Sequence, residues 1–404
     1  MTATQAEADR PPSTAPKGLG RWHVLTGEYP PQAGGVADYT AIVAGLLAGR
    51  GAEVHVWTTP AAGASEAAGV EAPAGVEVHR AAGRWSAAGL RGLGAELDAF
   101  PGPRRLLIQY TPHSWGARGM NLGFCRWVAR RARAGDEVRA MFHEVAYPFR
   151  RDDHPKLWVV AAAQRLMARV LVPACARLYV STPTWDDLLP RRRHPSAGPL
   201  RWLPVPSNVA EVADPPAVAA IRRATAPEGT QVLGSFGTFH GWVADLLRAT
   251  LPPLLRGRPD RVALLIGRNG PKFAENLIAA EPDLDGRLVA TGGLAARDAS
   301  RHLQACDLMI QPYPDGVSTR RGSMMAVLAH GLPAVTTVGR LSEPIWAELG
   351  CVATAPDDAP AAFVAAAETL LADPDARARL GARARDVYER RFAAERTVEG
   401  LLRD

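Results

Sequence analysis

The sequence is poor in cysteine and aromatic residues, its basic residues are almost all arginine, and it lacks any long uncharged apolar run. The four cysteines, Cys125, Cys175, Cys306 and Cys351, stand far apart and form no C-x-x-C pair, so neither a disulfide framework nor a zinc knuckle is suggested. A reducing, cytoplasmic setting is the plain expectation. No stretch of about 18 apolar residues free of charge occurs, which argues against a transmembrane span. G-x-G-x-x-G is missing, which argues against a Rossmann oxidoreductase. His, Cys and Asp do not cluster at ligand spacing, so neither a metal nor a cofactor is expected. D-x-D occurs only as Asp283-Leu284-Asp285 and Asp373-Pro374-Asp375, both in turn-like settings.

What is present describes a globular protein, with 47% apolar and 22% charged residues. A chain of 404 residues suits two α/β domains of about 150 to 200 residues each. The Ala-, Pro- and Thr-rich segment 1–20 has too little apolar surface to offset the entropy of ordering it and is expected to be a disordered leader. The net charge of +6 fits attraction to a phosphorylated or anionic partner, or a merely solvated arginine surface.

Short β-rich runs alternate with helical periodicity, the pattern of parallel α/β architecture. Strands are expected at 21–26, 53–58, 76–79, 105–110, 137–143 and 177–182, with helices at 39–50, 119–134 and 156–173. A second series has strands at 231–236, 261–266, 287–291, 308–311 and 334–337, with helices at 243–250, 296–305, 319–330, 343–349 and 360–371. Between the series, 203–216 holds four prolines and reads as the linker. The charged tail 374–404 is expected to be helical.

The loop after the first strand ends in the pair Gly34-Gly35, which lets backbone amides approach a ligand. With Pro31, Val36 and Tyr39, and with Arg50-Gly51-Ala52-Glu53-Val54-His55-Val56 downstream, it resembles the amino-terminal signature of glycosyltransferase family 4 (group 1) in the GT-B fold. Leu203-Pro204-Val205-Pro206-Ser207-Asn208-Val209 is similar to the family's I-P-N-G-V, and Ala329-His330-Gly331-Leu332-Pro333-Ala334-Val335 to its A-x-G-x-P-V-V.

The resemblance implies two Rossmann-like doubly wound parallel-sheet domains with an interdomain cleft. It places an acceptor domain at 21–205, a nucleotide-sugar donor domain at 206–385 and, at 386–404, a helix returning to the first domain. It implies transfer of a sugar from a nucleotide-sugar to a hydroxyl acceptor, with retention of configuration and without a metal. His143 and Glu144, at a strand's carboxyl end, correspond to the family's histidine near the reacting sugar. Donor phosphates are expected at Gly34, Gly35, Gly237, Thr238, Ser318, Thr319, Arg320 and Arg321, the last four opening a helix. The base and sugar fall to Gly292, Gly293, Leu294, Gly322 and Ser323, and the acceptor to Tyr39, Tyr110 and His113.

Two departures matter. Gly237-Thr238 stands where the family has an Arg and a following Lys, and the family's E-x7-E glutamates fall on Ser318 and Ala326. A catalytically inactive paralogue serving as a binding or scaffold partner is therefore the alternative reading. Nucleic acid is not an expected partner. The Arg- and Trp-bearing stretches 126–133 and 156–169 fit either weak peripheral contact with the inner membrane surface or ordinary amphipathic helices whose arginines reach water.

Overall fold

The computed structural model of the chain describes residues 19–60, 72–81, 83–149 and 154–403. Nearly all of the expected leader lies outside them. The first domain runs β1 (Arg21–Thr26), α1 (Gly35–Gly49), β2 (Glu53–Thr58), β3 (Val76–Arg80), α2 (Ala87–Asp98), β4 (Arg105–Tyr110), α3 (Leu122–Arg133), β5 (Glu137–Phe142), α4 (Pro155–Leu171), β6 (Arg177–Val180) and β7 (Arg201–Trp202). These strands form a parallel sheet of order β3-β2-β1-β4-β5-β6-β7. Side chains alternate across it: Leu106, Ile108 and Tyr110 face the α2–α4 layer, while Leu107 joins Trp22, Val24 and Val54 beneath α1. Because both faces are covered, the strands read as unbroken apolar runs.

The second domain runs α5 (Pro215–Thr225), β8 (Gln231–Phe236), α6 (Gly241–Leu255), β9 (Arg261–Ile266), α7 (Gly270–Ala280), β10 (Leu288–Gly292), α8 (Ala296–Gln304), β11 (Leu308–Gln311), α9 (Gly322–Ala329), β12 (Ala334–Val338), α10 (Ile345–Leu349), β13 (Ala353–Pro356), α11 (Pro360–Ala372) and α12 (Pro374–Val387). Its parallel sheet has the order β10-β9-β8-β11-β12-β13. After a wide turn at Tyr388–Phe392, α13 (Ala394–Leu402) leaves this domain and packs on α1. Its Val398 and Leu401 complete the apolar cluster around Trp22, and Arg139 holds the Leu401 carbonyl at 2.9 Å.

Two local expectations are corrected. The helix expected from residue 319 begins at Gly322, because Ser318 and Thr319 are drawn inward as buried polar contacts. The helix expected to stop at residue 250 runs on through Pro252 and Pro253 to Leu255, its buried Leu251, Leu254 and Leu255 outweighing the lost amides. The stretch Pro155–Ala174 is long and apolar enough by composition to cross a membrane. Here it is an amphipathic layer helix, with Ala161, Met167, Ala168 and Leu171 buried in the core and Trp158, Val159 and Leu166 exposed.

Candidate active site in the interdomain cleft

In each sheet the chain reverses its direction of winding beside the first strand, between β1 and β4 and again between β8 and β11. Crevices at the carboxyl ends of such strands are where open α/β sheets bind ligands. The loops after β1, β4, β5, β8 and β11 all lie there.

His143 follows β5 and is 7% exposed. Its Nε2 lies 2.9 Å from Gln109 Oε1, at the end of β4. Burial pushes its pKa down to about 3, so the ring is neutral at physiological pH. A neutral ring that donates from Nε2 keeps Nδ1 as an acceptor. Its backbone carbonyl accepts from the Ser181 hydroxyl at 3.2 Å and the Trp185 indole at 2.9 Å, and Tyr39 packs edge-on at 4.6 Å. Sequence reading picked out the histidine but not this bracing from Ser181 and Trp185. The only signal was a polar pair closing an apolar strand.

Glu144 is half-exposed, 3.4 Å from His113 and 3.8 Å from Arg320 of the second domain. Arg320 also lies over the Trp185 ring at 5.5 Å, and Arg321 over Tyr313 at 4.8 Å. Arg321 occupies the N-cap of α9 without a capping side chain. The first amides of that helix have no intrahelical partner, and its dipole favours an anion. Arg320 Nε, Arg321 Nε and Ser318 Oγ are buried without a hydrogen-bond partner. Burial, then repulsion from Arg321, lowers the Arg320 pKa to about 10, which still leaves it charged. Two adjacent guanidiniums at an open helix start suit an anionic ligand. Ser323, one turn in, shares a 2.7 Å hydrogen bond with the Tyr313 hydroxyl.

Several expected contacts are placed otherwise. Thr319 is fully buried and works between the domains: its amide is 3.1 Å from Glu343 Oε1, its hydroxyl 2.8 Å from the Ser181 carbonyl, and its carbonyl accepts from Val205. It is not a phosphate contact. Glu343, which sequence reading passed over, also accepts from the Trp346 indole at 2.8 Å.

The Gly34-Gly35 loop opens α1, but Glu28 Oε1 already accepts from the Val36 and Ala37 amides, each at 3.2 Å. A side chain on Gly34 would meet that carboxylate at 2.6 Å and push it off the two amides. The Gly237 amide is spent on the Ile266 carbonyl, and Thr238 is exposed with its carbonyl held by Asn269. Tyr39 and Tyr110 are buried in the two cores of the first domain and present no surface to an acceptor, whereas His113 is exposed. Gly292 ends β10, and Gly293 and Leu294 form the partly exposed turn after it.

Ala326 is in the core, and neither it nor Ser318 supplies a carboxylate. The D-x-D segments are structural: Asp283 pairs with Arg256, and Asp373 caps α12. The expectation of no ligand cluster is corrected away from the cleft, where β2 and β3 bring together His55, Glu77 and His79.

Residues 230–373 match the sequence model of the family described as glycosyl transferases group 1. No curated protein sequence matches the chain. Among solved structures, sucrose-phosphate synthase from Thermosynechococcus elongatus is similar over 95% of this chain and 97% of its own, with 16% identity and a TM-score of 0.69. HepE of Anabaena, solved with UDP and glucose, is similar over 94% and 98%, with 14% identity and a TM-score of 0.64. WaaG, a glycosyltransferase involved in lipopolysaccharide biosynthesis, is similar over 94% and 98%, with 15% identity and a TM-score of 0.64. The chain therefore has, over nearly its whole length, the two-domain GT-B fold of these structures, and part of its second domain matches the group 1 glycosyl transferase family.

Proposed function

We propose that the protein transfers a sugar from a nucleoside-diphosphate sugar to a hydroxyl acceptor with retention of configuration. The observation that carries this reading is the pair Arg320 and Arg321, with unpartnered buried Nε atoms at the uncapped start of α9, Arg320 lying 3.8 Å from Glu144, the residue after neutral His143. Charge developing on the leaving diphosphate is offset by the two guanidiniums and the α9 amides, groups fixed before the reaction begins. His143 Nδ1 accepts a hydroxyl hydrogen from the transferred sugar and orients it. Glu144, bridging His113 and Arg320, ties closure of the cleft to an intact site. A uridine diphosphate donor is the first to try, since HepE was solved with UDP-glucose.

For the acceptor, a groove of about 840 Å³ opens beside the cleft between α2, α3 and the loops after β2 to β4. Trp85, Trp115 and Trp127 line it beneath Arg91, Arg126 and Arg130. We assign it to an acceptor that joins an anionic group to an apolar body. The four buried free cysteines support a cytoplasmic setting, and exposed Trp158, Val159 and Leu166 on α4 support contact with a bilayer surface.

Calorimetric titration with UDP, GDP and ADP, followed by assay of donor hydrolysis, tests the reading. One nucleoside diphosphate should bind and its sugar should be released slowly; failure of all three to bind removes the proposal. Binding without any release or transfer favours the inactive paralogue, to which the missing carboxylates at Ser318 and Ala326 point.

A further inference from the structure

Glu53-Val54-His55 and Glu77-Val78-His79 repeat the same three residues on neighbouring parallel strands. Their register is offset, setting His55 beside Glu77 and Trp57 beside His79. Residues two apart share a face of a sheet, so His55, Glu77 and His79 converge on one side.

The convergence is close. His55 Nδ1 lies 3.0 Å from His79 Nε2 and 3.3 Å from Glu77 Oε2, and Glu77 Oε1 lies 3.5 Å from His79 Nε2. Ligand atoms bound tetrahedrally at about 2.0 to 2.1 Å from a zinc ion stand about 3.3 Å from one another. The two nitrogens and the carboxylate, which meets each nitrogen through a different oxygen, thus stand near ligand separation, with one donor atom from each residue within 4.8 Å of the others. His55 Nε2 is 2.9 Å from Glu53 Oε1, a carboxylate behind a histidine of the kind that fixes a ligand's tautomer and raises its basicity. The rings are held as well: His79 stacks on Trp57 at 3.9 Å and 12°, and His55 lies over His23 at 5.4 Å. Glu77 is 65% exposed and His79 21%, so an ion has a path in and water a place as fourth ligand.

We propose that His55 Nδ1, His79 Nε2 and one Glu77 oxygen form a binding site for a divalent transition-metal ion of the zinc class, clipping the edge strand β3 to β2. Two imidazoles and a carboxylate suit such an ion better than magnesium or calcium, which prefer all-oxygen shells. The site is separate from the cleft and does not depend on the proposed transfer reaction.

Untagged protein, stripped with chelator and titrated with Zn²⁺ by calorimetry, tests it. One equivalent should bind, Zn²⁺ should raise the melting temperature, and Co²⁺ in its place should give the intense visible bands of four-coordination. His79→Ala and Glu77→Gln, both at solvent-accessible positions, should abolish all three responses while the circular dichroism stays that of the parent. Glu53→Gln should weaken binding about 10- to 100-fold. Absence of stoichiometric binding by the parent, or binding that survives the His79→Ala and Glu77→Gln changes together, overturns the site.

Discussion

The hydroxyl of Thr319, in the second domain, lies 2.8 Å from the carbonyl oxygen of Ser181 in the first, and only 2.6 Å from Glu343 Oε1. It has one hydrogen for two acceptors, and it also receives the Trp202 indole hydrogen at 3.1 Å. Ser181 in turn donates to the carbonyl of His143, so the floor of the cleft is coupled to the interdomain contact through two residues.

Thr319→Val keeps the shape and removes the hydroxyl. Trp202 and Ser181 then lose a buried partner, a loss worth about 1 to 3 kcal/mol. The denaturation midpoint should fall accordingly, and small-angle scattering should show a larger radius of gyration as the domains part. Unchanged values in both measurements would mean that the contact holds nothing together.

Arg320→Ala should weaken nucleoside-diphosphate binding by about 1 to 3 kcal/mol, the scale of a lost charged hydrogen bond. Arg321→Ala should act in the same direction, and the loss should shrink as salt rises, since the interaction is between charges. Calorimetry at two ionic strengths reads both effects. An affinity indifferent to either substitution takes the arginines out of the phosphate site.

The Glu28 carboxylate occupies the amides of α1 that a phosphate would otherwise use. Removing it with Glu28→Ala should cost about 0.5 to 2 kcal/mol of stability, as for other lost caps. The same change should tighten diphosphate binding, because a negative charge leaves and two amides become free. Glu28→Gln, which keeps an acceptor oxygen without the charge, should fall between. Weaker diphosphate binding by Glu28→Ala would show instead that the carboxylate organises the donor loop.

Much of this was legible in the residues and some was not, for physical reasons. Strands such as β4 and β9 stand out because both faces are covered. By contrast β7 is only Arg201 and Trp202, and β13 ends in proline. Helix α2 was hidden by Gly89, Gly92 and Gly94, which lower its propensity. Gly89 is required, because a Cβ there would meet the Gly83 carbonyl oxygen at 2.3 Å. His143, Glu144 and Arg320 announced themselves at element ends. The inward turn of Thr319 did not, since it depends on Glu343 and Ser181, 24 and 138 residues away. The paired Glu-Val-His segments were equally silent, because only strand register brings them together.

Burial holds His143 neutral, and this has a signature in acid. Burial alone pushes its pKa down to about 3; that of His23 is pushed down likewise, by burial first and then by the neighbouring His55 and Arg21. An unfolded chain binds protons on both near pH 6.5, and the folded chain refuses them until about pH 3. Stability is therefore full above about pH 6.5 and falls as pH drops through that window, by roughly 1 kcal/mol per pH unit for each histidine. His143→Gln should make that acid slope shallower by one histidine's share, read from denaturation midpoints between pH 4 and 7. In catalysis the same neutrality means that His143 contributes no ionisation near pH 6.5. The substitution should lower kcat by about 100-fold, and by the same factor across the neutral range. A kinetic pKa near 6.5 in the parent that disappears in His143→Gln would show that the ring is charged at work.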